Sequence, residues 1–228
     1  MKFSAGCVLL FGGTVVAQSQ SAPGSFTVRI VAEQARQRRV IPAAIWLEPQ
    51  PGTPVQPFIP HERYTLLQKN RTFIPHLQVI PVGAIVQFPN KDPFFHNVFS
   101  LFDGKRFDLG LYEAGSSKSV TFSREGPSYI FCNIHPEMSA VILALSTPLY
   151  SIASGQDTLQ IRNIPEGAYT LHFWIEGVQQ KTLDGLERNL QITSRPINLP
   201  DVHISVPVAV RHDNMFGHPY ENVSPPTY

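Results

Sequence analysis

Charge is scarce in this chain: Asp, Glu, Lys and Arg make up 15% of its 228 residues, against about 25% in an ordinary soluble domain. The 18 basic and 17 acidic residues nearly cancel, to +1. A chain so balanced has no broad electrostatic footprint for nucleic acid or anionic lipid. Apolar periodicity of helical spacing is missing over any useful length, which excludes a coiled coil. Beyond the first residues, no run approaches the roughly 18 consecutive apolar residues of a membrane span. Gly-x-Ser-x-Gly, P-loop and His-Glu-x-x-His motifs are all absent, so no catalytic constellation emerges and an enzyme is not expected. What remains is 43% hydrophobic with 21 Pro and 15 Gly. That composition rules out disorder across the chain and suits short strands joined by loops.

Cysteine is scarcer still, with only Cys7 and Cys132. The opening, Met1-Lys2-Phe3, one apolar run from Ala5 to Phe11, and Val15-Val16-Ala17, reads as an export signal over residues 1–17, cut after Ala17. Cys7 does not fit a lipoprotein cysteine, because the apolar stretch follows it. The expected location is therefore exported, periplasmic or fully secreted, and the processed protein keeps Cys132 alone. Cysteines in oxidising compartments usually pair. A solitary one is a buried inert thiol, an intermolecular bridge, or a thiolate with a use.

From Ser25 onward, β-like runs are broken by turn residues: Phe26 to Ala32, Ala43 to Leu47, Gln78 to Phe88, His96 to Leu101, Ser117 to Phe122, Ser128 to Cys132 and Ser139 to Leu145. Further runs follow Thr147-Pro148 at Thr158 to Arg162, Tyr169 to Trp174, Arg188 to Ile192 and Val202 to Val206. Spacing of this kind predicts an all-β protein: a Greek-key sandwich over 25–147, then a second, smaller β sandwich over 149–208. Residues 209–228 show no alternation and are expected to form a mobile tail.

The informative segment is Cys132-Asn133-Ile134-His135-Pro136-Glu137-Met138. A thiolate, an imidazole and a thioether fall within seven residues at a predicted strand end. Such soft and borderline ligands select copper over magnesium or calcium. His96, opening another predicted strand, is the candidate fourth ligand, since strand ends 36 residues apart can be neighbours in a Greek key. Two His, one Cys and a weak axial Met make a type 1, blue-copper site that favours electron transfer over substrate chemistry. Taken singly, each residue has a plainer reading, as a core filler or a surface residue; the conjunction is what points to a metal.

These residues resemble the cupredoxins, the plastocyanin and amicyanin family of type 1 copper proteins. Cys-x-x-His-Pro-x-Met is similar to the family's short ligand loop, and Phe88-Pro89-Asn90 ahead of His96-Asn97-Val98 is similar to the segment carrying its first His. The resemblance implies one copper ion held by His96, Cys132, His135 and Met138. It also implies that Asn90 hydrogen-bonds to the ligand loop, and that His135 is an electron port with Phe94, Phe95, Ile134 and Pro136 as an apolar rim for docking a redox partner protein. Stretches such as Gln68 to His76, Pro81-Val82-Gly83 and Phe107 to Tyr112 resemble a bacterial subgroup labelled methylamine-utilisation or plastocyanin-like. Ile161 to Leu171 is similar to the carboxypeptidase regulatory-like, transthyretin-like sandwich, an accessory module without catalytic residues. The chain has no His-x-His pair of the kind multicopper enzymes use. His76 reads as a surface residue, and His172 and His203 as ordinary sandwich residues. A copper-binding or storage protein, or an interaction module without a redox partner, is the alternative reading.

Overall fold

The computed structural model describes residues 23–34, 37–54, 57–60, 63–101, 104–153 and 155–207. The expected export signal and tail lie outside these residues. The protein is all-β, as expected, with one short helix among the described residues, α1 (Gln180–Asp184). No helix among the described residues is long and apolar enough to cross a membrane.

The strands, in chain order, begin with β1 (Gly24–Gln34), β2 (Gln37–Arg39) and β3 (Ala43–Pro49). A long middle section follows: β4 (Tyr64–Thr65), β5 (Leu67–Lys69), β6 (Thr72–Ile74), β7 (Leu77–Pro81), β8 (Ile85–Pro89), β9 (His96–Ser100), β10 (Phe107–Tyr112), β11 (Ser117–Thr121), β12 (Gly126–Phe131) and β13 (Ser139–Leu145). The chain then forms β14 (Tyr150–Ile152), β15 (Thr158–Ile164), β16 (Gly167–Ile175), β17 (Arg188–Ile192), β18 (Ile197–Asn198) and β19 (Val202–Ser205).

The middle section builds one sandwich. Its larger sheet runs β10-β9-β12-β13-β7 and its smaller one β11-β8-β4, with the β5-β6 hairpin beside them. The single predicted run from Gln78 to Phe88 is in fact two strands in different sheets. Pro81-Val82-Gly83 turns the corner between them: Gly83 takes φ 89°, a left-handed conformation that glycine adopts without a Cβ clash. Alternation then directs Val86 and Phe88 from one sheet and Val98, Ile130 and Ile142 from the other into a common core. Each such burial contributes roughly 1.5–3 kcal/mol.

The division of the chain differs from the expected units 25–147 and 149–208. β1 pairs with β15, β18 and β19, and β3 lies between β14 and β16. Phe26, Val28, Ile45 and Leu47 therefore share a core with Leu159, Leu171 and Phe173. Residues 24–49 belong with 150–206, and the middle sandwich is inserted between β3 and β14.

The two sandwiches also meet. In β13 alternate residues face opposite ways: Ala140, Ile142 and Ala144 enter the middle core, while Val141, Leu143 and Leu145 pack with Leu77, Val79, Ala44 and Trp174. That is why Ser139–Leu145 is a nearly unbroken apolar run rather than an alternating one. His76 stands at this junction rather than free on the surface: its Nδ1 lies 3.1 Å from the Ser139 carbonyl and its Nε2 2.5 Å from Glu176.

Candidate metal centre

β9 and β12 are antiparallel neighbours in the register Phe99↔Phe131. That register sets the start of β9, His96, beside the residues that follow β12, beginning with Cys132. The juxtaposition across 36 residues is thus a property of the sheet. The loop from Cys132 to Met138 is closed by its own backbone, with the Cys132 N–H donating to the Met138 carbonyl (3.2 Å) and the Met138 N–H to the His135 carbonyl (2.9 Å).

Cys132 Sγ lies 3.8 Å from His96 Nδ1 and 3.5 Å from His135 Nδ1. The three donor atoms all lie within 4.8 Å of one another, and no other such group of three occurs among the described residues. A first-row divalent ion with bonds of about 2.3 Å to sulfur and about 2.0–2.1 Å to nitrogen separates sulfur from nitrogen by about 3.5–3.8 Å at tetrahedral to trigonal angles. The sulfur–nitrogen spacings fit such an ion. His96, Cys132 and Met138 are fully buried, and Met138 packs in the same core as Cys132. His135 is half-buried.

The environment sets the protonation of each group. Burial pushes the Cys132 thiol up, opposed by the backbone N–H groups of Ile134, Asn97 and His135, which face the sulfur. Burial also lowers His96, against the pull of Asp92. His135 is pushed down to about 4 by burial first, then by His96 and Arg71. Both imidazoles are therefore neutral at pH 7, as metal ligands must be.

Sequence reading missed Asp92. Its Oδ2 accepts a hydrogen bond from His96 Nε2 at 2.8 Å, and its two oxygens also accept the N–H groups of Asn70 (2.6 Å) and Arg71 (3.0 Å). Burial alone would raise the Asp92 pKa, but the bonds from Arg71, His96 and Asn70 outweigh it and hold the carboxyl below its usual range. With Nε2 carrying the proton, His96 offers the Nδ1 lone pair toward Cys132. A carboxylate behind a ligating imidazole fixes tautomer and ring orientation in this way.

Asn90 is fully buried and holds the turn ahead of β9. Its side chain donates to the carbonyls of Phe94 (2.8 Å) and Tyr112 (3.4 Å) and accepts from the Asp92 N–H (3.0 Å). These bonds shape the turn that carries Asp92 and tie it to β10.

Of the four expected rim residues, Phe95 and Ile134 are exposed, at 54% and 44%, while Phe94 and Pro136 are partly buried. Phe94 packs inward, its ring centroid 5.3 Å from that of His96 and 5.7 Å from that of His135. Arg71, also missed from sequence, lies over the Phe94 ring, 5.2 Å from its centroid. His172 and His203 lie on β16 and β19, away from the cluster.

No known family profile matches this chain. No curated protein matches it either. Among solved structures, it is similar to a Cu-containing nitrite reductase (NirK) from Thermus scotoductus SA-01, at 24% identity and a TM-score of 0.35 over 40% of this chain. The aligned part spans only 25% of that enzyme's length. It is also similar to a novel purple cupredoxin from Nitrosopumilus maritimus, at 24% identity and TM-score 0.33, covering 36% of this chain and 98% of the other. A reduced amicyanin variant aligns at 18% identity and TM-score 0.34, covering 40% and 92%.

Proposed function

We propose that this chain is an exported cupredoxin-type protein that carries single electrons, with one copper ion held by Cys132, His96 and His135 and with Met138 as a weak fourth ligand. The observation that carries this reading is the buried thiol with two neutral imidazole nitrogens 3.5 and 3.8 Å from it. A thiolate with imidazoles favours copper or zinc over hard cations, and the thioether of Met138, buried in the same core as Cys132, favours copper. When bound, copper supplies a one-electron couple.

The residues divide the remaining tasks. Asp92 orients His96; the N–H groups of Asn97, Ile134 and His135 support negative charge on the Cys132 sulfur; the buried positions of His96, Cys132 and Met138 exclude water. His135 is the half-buried member of the cluster and forms the path to the surface, preceded in the chain by exposed Ile134 and touched by Phe94, whose neighbour Phe95 is exposed. Four ligands leave no open position for a substrate, which favours electron transfer over catalysis. The second sandwich, akin to the carboxypeptidase regulatory-like module, acts as a structural support.

The test is the visible and electron paramagnetic resonance spectrum after adding Cu(II), beside Cys132→Ser. The expected result is an intense visible thiolate-to-copper band with narrow copper hyperfine splitting, lost in the variant. Ordinary broad copper signals in the unmodified protein would overturn the reading. A normal spectrum with slow redox cycling and ready copper transfer to a chelating acceptor would replace electron transfer by storage.

A further inference from the structure

The β5-β6 hairpin closes through a two-residue turn, Asn70-Arg71, with Arg at a position where glycine is favoured. Asn70 and Arg71 both take left-handed backbone angles, φ 56° and 55°, at roughly 1–2 kcal/mol per non-glycine residue. The Asp92 carboxylate, accepting both N–H groups, offsets that cost and fixes the turn relative to His96. The turn presents Arg71 over Phe94, whose ring touches both His96 and His135. Arg71 is exposed, and no carboxylate pairs with its guanidinium among the described residues.

The neighbouring charges lean the same way. Lys69 precedes the turn, and Lys91 is bound to it through its backbone N–H to the Gln68 carbonyl at 2.9 Å. Glu137 in the ligand loop and Glu113 in the turn after β10 oppose them. Asp92, though acidic, is buried and already holds His96 and the turn.

We propose that Arg71, with exposed Phe95 and Ile134 beside His135, forms a docking surface for a redox protein that presents carboxylates. This rests on the electron-transfer reading above. Transient redox contacts are small, below about 1,200 Å² in total. In such contacts electrostatic complementarity governs encounter rate and partner choice. A fixed, unpaired guanidinium beside the half-buried imidazole selects an anionic face.

The test has two arms. In the first, the metal-free full chain is titrated with hexacyanochromate(III), an inert paramagnetic trianion, and its amide resonances are followed, with hexaamminechromium(III) as the cationic control. The anion is expected to broaden Asn70, Arg71, Phe95 and Ile134, the cation to spare them, and Arg71→Gln to abolish the broadening while Arg71→Lys retains it. In the second arm, the copper-loaded, reduced protein is oxidised by hexacyanoferrate(III) and by tris(phenanthroline)cobalt(III). The ratio of the two rates cancels any change in driving force. Arg71→Gln should lower the anion-to-cation ratio roughly five- to tenfold at low ionic strength. The difference should vanish at about 0.5 M salt, where the Debye length is about 4 Å. Broadening centred elsewhere, or a ratio unchanged by Arg71→Gln, would overturn the docking surface alone. A protein without the intense thiolate-to-copper band would overturn the electron-transfer reading, and the redox partner with it, whatever the anion does.

Discussion

His96 Nε2 and Asp92 Oδ2 lie 2.8 Å apart, the imidazole fully buried and the carboxylate 5% exposed. The pair joins the candidate metal centre to the β5-β6 turn, because the same carboxylate holds the backbone of Asn70 and Arg71. One side chain thereby sets both the tautomer of a candidate ligand and the position of a surface cation.

Asp92→Ala leaves three buried or part-buried donors without their acceptor. At roughly 1–3 kcal/mol for each unsatisfied group, and with some of these relaxing to water, a total loss of about 2–4 kcal/mol is expected. Urea unfolding of the metal-free protein measures it. Metal affinity should fall about 10- to 100-fold, as when the partner of a ligating imidazole is lost elsewhere. An unchanged urea midpoint would mean the carboxylate does not support the turn.

Metal uptake at pH 7 should release close to one proton. The Cys132 thiol is raised by burial and so is protonated in the metal-free protein, whereas burial has already lowered both imidazoles. Calorimetric titration in buffers of different ionisation enthalpy counts the protons. Affinity should then fall about tenfold per pH unit on acidification, the slope of one displaced proton.

The metal-free protein should lose stability as pH falls from about 6.5 toward 4. His135 is lowered from 6.5 to about 4 and His96 is also lowered. In that window the unfolded chain therefore binds more protons than the folded one, and stability drops with pH. His76 has the opposite sign. Its bond to Glu176 raises its pKa, so that contribution is present below 6.5 and is lost as pH rises through the raised value. Urea midpoints between pH 7 and 4.5 should decline, and His135→Gln should flatten the decline. A midpoint that rises on acidification would contradict the burial of the two imidazoles.

A chain ending at residue 148 should not fold cooperatively. It keeps β1 and β3 but lacks β14, β15 and β16, their partners. Thermal unfolding followed by circular dichroism would show no sharp transition. In the full chain, Trp174→Ala should cost about 3–5 kcal/mol, because the ring is buried between the sandwiches at 2% exposure. The copper spectrum should stay unchanged.

The residues that converge at the site were legible in sequence to an unequal degree. Cys132, His135 and Met138 sit within seven positions, and His96 opens a strand that hydrophobic runs already mark. Asp92 was hidden because Pro89-Asn90-Lys91-Asp92-Pro93 has the composition of any turn, and nothing local distinguishes a buried carboxylate from a solvated one. Arg71 was hidden for a related reason, since left-handed angles at an Asn-Arg pair are not encoded by glycine. The strands β1 and β3 were found correctly as strands, yet given to the wrong sandwich. Alternation reports that one face is buried, and says nothing about which strand lies alongside.

β13 is hydrogen-bonded along both edges, to β12 and β7, and covered on both faces by apolar layers. Amides so enclosed exchange with solvent only when the whole molecule opens. The loop runs straight into this strand at Ser139, so Met138 is joined to a strand enclosed on both edges and both faces, while His135, three residues earlier, is only half-buried. Over that short distance the loop passes from the enclosed interior to solvent, with exposed Ile134 at its middle and buried Met138 at its far end.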